Sequence, residues 1–89
     1  MANLTKRQEI LIILAEECAE VAQECSKGLR WPEDPSRLDK LTKEVSDMLT
    51  MVDLAMNIGL IDPDRIQLYK IQKLNKLKEF SEHLHTSNI

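Results

Sequence analysis

The sequence predicts an all-α fold: an antiparallel helical hairpin plus a third helix, in a single domain over residues 1–89 that completes a four-helix-bundle-type core by dimerisation. Three observations predict it. The chain is 43% hydrophobic but 3% aromatic, so its apolar weight lies in Leu, Ile, Val, Met and Ala, which favour helix over sheet. Two glycines and three prolines leave few turns, which suits a handful of long elements and excludes a many-stranded sandwich. Apolar residues recur at alternating spacings of three and four along two long segments, the mark of a helix with one buried face.

Thr5 with Gln8 three residues later makes a capping box and Gly28 supplies a stop, so the first helix is expected over residues 6–27. Leu11, Leu14, Cys18, Val21 and Cys25 fall on one face of it and read as a core stripe. Cys18 and Cys25 lie two turns apart, too far for a local disulfide, and are expected as buried free thiols. Residues 29–35 hold Pro32 and Pro35 and read as an irregular connection, with Trp31 inside it. Ser36 is the expected cap of a second helix, whose stripe is Leu38, Leu41, Val45, Met48, Val52 and Ala55 and whose stop is Gly59. Met48, Met51 and Met56 read as core filler. Asp62 before Pro63 starts a third helix, expected over residues 63–84, with a looser apolar face of Ile66, Tyr69, Leu74, Leu77 and Phe80. His83 and His85 do not share a face and are given no catalytic role, and residues 85–89 are expected to fray. Three helices enclose little volume and a chain of 89 residues buries a modest share of its surface, so a homodimer or a dimer of dimers is expected.

A net charge of −3 argues against a nucleic-acid partner. The charge is segregated. Residues 9–24 carry five acids and no base, and residues 65–78 carry five bases and no acid, which reads either as a cation site facing a phosphate-attracting patch or as two solvated faces. The apolar run at residues 10–15 is too short for a signal peptide or a membrane span, so no membrane partner and a cytoplasmic setting are expected.

Glu17 and Glu20 project side by side on the first helix, and Glu44 and Asp47 repeat the arrangement on the second. Each pair precedes two stripe residues by one position, so both pairs are expected to flank the seam and to converge if the helices pack antiparallel at matching heights. Four converging carboxylates repel one another unless a cation neutralises them. All-oxygen ligation selects Mg2+, with Mn2+ able to substitute, and a magnesium cradle suggests phosphate chemistry. Glu24, one turn beyond Glu20, is a candidate extra ligand or an outer partner to the ligands, and Glu16, rotated about 100° from Glu17, is read as peripheral or as such a partner. The plainer reading is that glutamates at this spacing line a solvated helix face.

Glu16-Glu17-Cys18-Ala19-Glu20 followed by Glu44-Val45-Ser46-Asp47 resembles the EExxE and ExxD motifs of MazG-like nucleotide pyrophosphohydrolases, within the all-α NTP pyrophosphatase superfamily. The resemblance runs over residues 11–76 and implies that Glu17, Glu20, Glu44 and Asp47 hold magnesium and serve catalysis. It implies cleavage of a nucleoside triphosphate between the α and β phosphates, giving a monophosphate and pyrophosphate. Lys73 and Lys76 resemble the family's late basic patch and are candidate phosphate contacts, or else solvated lysines. The stretch Lys27-Gly28-Leu29-Arg30-Trp31 resembles the segment that approaches base or phosphate in relatives, with Lys27 and Arg30 as further substrate contacts. Trp31 either stacks on a nucleobase or seals the loop against the core. A non-catalytic helical protein-interaction module with a solvated acidic face is the competing reading.

Overall fold

Helix ends in this chain are set by short-range chemistry, and the computed structural model, which describes residues 3–84, shows which signals act. It contains α1 (Lys6–Arg30), α2 (Ser36–Asn57) and α3 (Pro63–Phe80), with no strand among the described residues. At the start of α1 the capping box closes: the Gln8 N–H donates to Thr5 Oγ1 at 3.1 Å and the Thr5 N–H donates to Gln8 Oε1 at 2.9 Å. Helix α1 runs through Gly28 to Arg30, three residues beyond the expected end. Pro32 is the effective stop, because it drives the residue before it out of the helical region; Trp31 has φ −129° and ψ 65°.

Ser36 is the first helical residue of α2 rather than its cap, since Pro35 holds the capping position with helical torsions. Asp34 caps from outside: its Oδ1 accepts the Ser36 N–H at 2.9 Å and the Ser36 hydroxyl at 2.7 Å. Helix α2 ends on Gly59, at φ +79°, with the Leu60 N–H donating to the Ala55 carbonyl at 2.9 Å. Asp62 Oδ1 then accepts the N–H groups of Asp64 and Arg65 to start α3. Helix α3 ends at Phe80, short of the expected residue 84, because Ser81 turns extended and its Oγ accepts the N–H groups of His83 and Leu84. His85 and the tail at residues 85–89 lie outside the described residues.

Helices α1 and α2 pack antiparallel along a seam built from three layers. Ile10 meets Met51, the Glu17 carboxylate meets that of Glu44, and Glu24 meets Arg37. Successive layers are seven residues apart on both helices, which is two turns or about 10.5 Å. The first layer is the core proper: Ile10, Met51 and the fully buried Ala55, backed by Ile13, Leu14, Ile58, Leu60 and Ile61. Ala55 has no side chain beyond Cβ, which suits the closest approach of the two helices there. Met51 is thus core filler, while Met48 and Met56 are half-buried.

The expected stripes meet this seam only in part: Ala55 is fully buried in it and Leu14 backs it, while other stripe residues lie beside it. Leu11 and Leu38 are 48% and 78% exposed, and Cys18 and Cys25 are exposed free thiols rather than buried ones. A seam between two helices takes only about two residues per heptad. Here those positions include Glu17 and Glu24 on α1, so Cys18 and Cys25, about 100° further round, face outward. Helix α3 packs extensively on neither partner and leaves Leu68, Tyr69, Ile71 and Phe80 exposed, so within one chain the bundle is a hairpin with a projecting third helix. The molecule measures 46 × 33 × 17 Å, little more than one helix thick along its shortest axis.

Candidate metal centre

The middle layer of the seam brings Glu17 from α1 together with Glu44 and Asp47 from α2, one carboxylate oxygen of each lying within 4.8 Å of the others. Glu17 and Glu44 stand in the seam rather than flanking it, because they occupy the same heptad positions as Ile10 and Met51. Glu17 Oε2 and Glu44 Oε2 are sealed from solvent, and neither has a hydrogen-bond partner among the described residues. A sealed carboxylate oxygen without a donor is costly.

Glu20 is exposed and is not among the acids whose oxygens converge, so three of the four expected ligands are brought together. A hydrogen bond shared with Glu20 is the main cause that pushes the Glu44 pKa up; burial and the Glu20 charge act in the same direction, and Lys43 opposes them. Lys43 Nζ donates to Asp47 Oδ2 at 2.9 Å, and that contact raises the Lys43 pKa. Lys43 lies on the solvent side of the cluster, so it neutralises Asp47 and leaves the sealed oxygens of Glu17 and Glu44 without a donor.

The residues fit a hard divalent ion. Magnesium bonds of about 2.1 Å set ligand oxygens roughly 3 to 4 Å apart, close to the spread of these three. The donor set is all carboxylate, and the two orphaned oxygens are the groups such an ion would satisfy. Two concavities of the chain lie away from these three acids, one between Cys25 and Leu38 and one along Val45 and Leu49.

The remaining sequence candidates are scattered. Glu24 lies 3.5 Å from Arg37 Nη1 and 3.4 Å from Lys27 Nζ, so both Glu24 and Lys27 are engaged at the loop end of the hairpin. Glu16 is exposed. The Arg30 guanidinium lies 4.8 Å over the Trp31 ring, and Trp31 is 52% exposed, so it does not seal the loop against the core. Lys73 and Lys76 are exposed on α3, and among the described residues no ion pair joins either to a carboxylate. The single chain does not bring them together with the acidic layer.

Two residues of this region escaped the sequence reading. Lys43 is the i−4 partner of Asp47, a spacing that identifies a helical ion pair. Arg37 stands seven residues before Glu44, as Glu24 stands seven after Glu17, and that matched offset is the signal that pairs them. Comparisons with family models, curated proteins and solved structures found no match for the chain.

Proposed function

We propose that this chain belongs to the metal-dependent hydrolases of phosphoric anhydrides. Within that class we read it as a MazG-like nucleoside triphosphate pyrophosphohydrolase, cleaving ribo- or deoxynucleoside triphosphates between the α and β phosphates. The observation that carries the reading is the three-carboxylate layer, with two sealed oxygens that find no hydrogen-bond partner among the described residues. Glu17, Glu44 and Asp47 would hold a magnesium ion, with Glu20 closing the set from the rim. A magnesium ion there supplies charge neutralisation at the phosphates and acidifies a water. The chain's own part is to hold the acids ionised and convergent, and to let Lys43 release Asp47 when a stronger cation arrives. Lys27, Arg30 and Trp31 lie at the loop end of the hairpin and supply candidate contacts to the nucleotide, with Lys73 and Lys76 on α3 as phosphate contacts.

A second copy is part of the same reading. The chain exposes 7253 Å², against about 5,400 Å² for a compact folded chain of this mass. Part of the excess is Leu68, Tyr69, Ile71 and Phe80 on α3, and part is Leu11, Leu29, Leu38 and Leu49 on the hairpin. A second hairpin packed there gives a four-helix homodimer, and a dimer of dimers would cover α3. The same exposed leucines support the competing reading, a helical protein-interaction module without catalysis. No described helix is long and apolar enough to cross a membrane.

Incubation with a panel of ribo- and deoxynucleoside triphosphates plus magnesium, assayed for monophosphate and pyrophosphate, decides between them. Turnover of at least one nucleotide that is lost in Glu44→Gln supports the hydrolase. No turnover, together with a thermal midpoint indifferent to magnesium, leaves the interaction module.

A further inference from the structure

The layer next to the carboxylates holds the other strongly charged contact of the seam. Arg37 and Glu24 side chains are 16% and 11% exposed and lie 3.5 Å apart. Arg37 Nε also faces Asp34 Oδ2 at 3.3 Å, and Asp34 is itself fixed by two hydrogen bonds from Ser36. The ion pair is thereby tied to the first turn of α2 and to the connecting loop. Its geometry is not that of an optimised pair, since Arg37 Nε, Arg37 Nη1 and Glu24 Oε1 are sealed without a well-formed hydrogen bond. Such a pair contributes little net stability compared with apolar residues of similar size, and its best-attested use is to specify register.

Register matters here because the middle layer opposes it. Glu17 and Glu44 repel at the spacing the hairpin imposes, and a slide of α1 along α2 would relieve that repulsion by carrying Glu17 toward Arg37. Arg37 already holds Glu24 and is anchored by Asp34, so the slide would break both contacts. We infer that the Glu24–Arg37 pair, braced by Asp34, is a positioning device that sets the α1–α2 register and so keeps Glu17 opposite Glu44. As a support for a metal site it rests on the reading above; as a register device it does not.

The test replaces both partners with leucine, Glu24→Leu with Arg37→Leu, which avoids stranding either charge. The thermal midpoint is expected to hold or rise. By nuclear magnetic resonance the parent is expected to give a single set of methyl cross-peaks between Ile10 and Met51, and the double variant weakened or split ones as the register loosens. Magnesium affinity by calorimetry is expected to fall by about 10-fold to 100-fold, the usual effect of removing an outer support of a metal site. An unchanged single set of Ile10–Met51 cross-peaks in the double variant overturns the inference, whatever the magnesium result. A parent that binds no magnesium defeats the metal reading instead, and the cross-peaks still decide the register.

Discussion

The acidic layer and the ion-pair layer of the α1–α2 seam occupy equivalent positions one heptad apart, yet they place opposite demands on the fold. At Glu17 and Glu44 like charges meet, and two sealed oxygens find no hydrogen-bond partner among the described residues. At Glu24 and Arg37 opposite charges meet, with Lys27 and Asp34 bracing them from both sides. Neither layer satisfies all of its sealed polar atoms, but the ion-pair layer balances its charges within the chain and the acidic layer does not. Hairpin folding therefore draws chiefly on the apolar layer, with the ion-pair layer near neutral and the like charges of the middle layer opposing it.

Neutralising one acid should produce the largest effect. Glu44→Gln is expected to lower nucleotide turnover by at least about 100-fold, through loss of a ligand that acts on transition-state charge. In the presence of a chelator the same substitution should raise the thermal midpoint, because it removes a repulsive partner of Glu20. A midpoint that falls in chelator would mean that the acidic layer stabilises the free chain, and the contrast between the layers would collapse. Breaking the other layer should act with the opposite sign. Arg37→Leu alone leaves Glu24 sealed and unpaired on that side, and is expected to cost about 2 kcal/mol by denaturant titration, below the usual figure for a buried pair because Lys27 remains.

The smallest effect, and the sharpest discriminator, is pH. Glu44 has its pKa raised above 4.5, so its contribution to stability is present below that value and is lost as the pH rises through the folded-state pKa. Asp34 has its pKa lowered below 3.8, chiefly by the Ser36 side-chain hydrogen bond, so its contribution is present above that value and is lost as the pH falls through the folded-state pKa. Metal-free melting curves across this range should lose their alkaline-going decline in Glu44→Gln and their acid-going decline in Asp34→Asn. If both variants flatten the same limb, the two layers do not titrate independently.

The sequence shows three helices and two acidic pairs clearly, because capping signals and three-residue spacings are local properties of the chain. The Thr5–Gln8 box, Gly59 and Asp62-Pro63 each do what their residue types require. Which side of each helix faces the other is not local. Leu11, Cys18 and Leu38 look like core because they are apolar, yet the seam chooses Glu17, Glu24, Arg37 and Glu44, which no hydrophobicity argument would bury. The ends of α1 and α3 were misjudged for a simpler reason: Gly28 keeps helical torsions, and the Ser81 hydroxyl competes for backbone donors.

A body only 17 Å deep has almost no interior, and three buried residues among those described cannot hold it together with much reserve. For such a plate, the second copy proposed above would, by covering the bare side, also be what keeps the chain folded. Dilution then acts as a denaturant: the melting temperature should climb with protein concentration, by the mass action that couples association to folding. A melting temperature constant over a hundredfold range of concentration, about two decades, would show the plate standing alone.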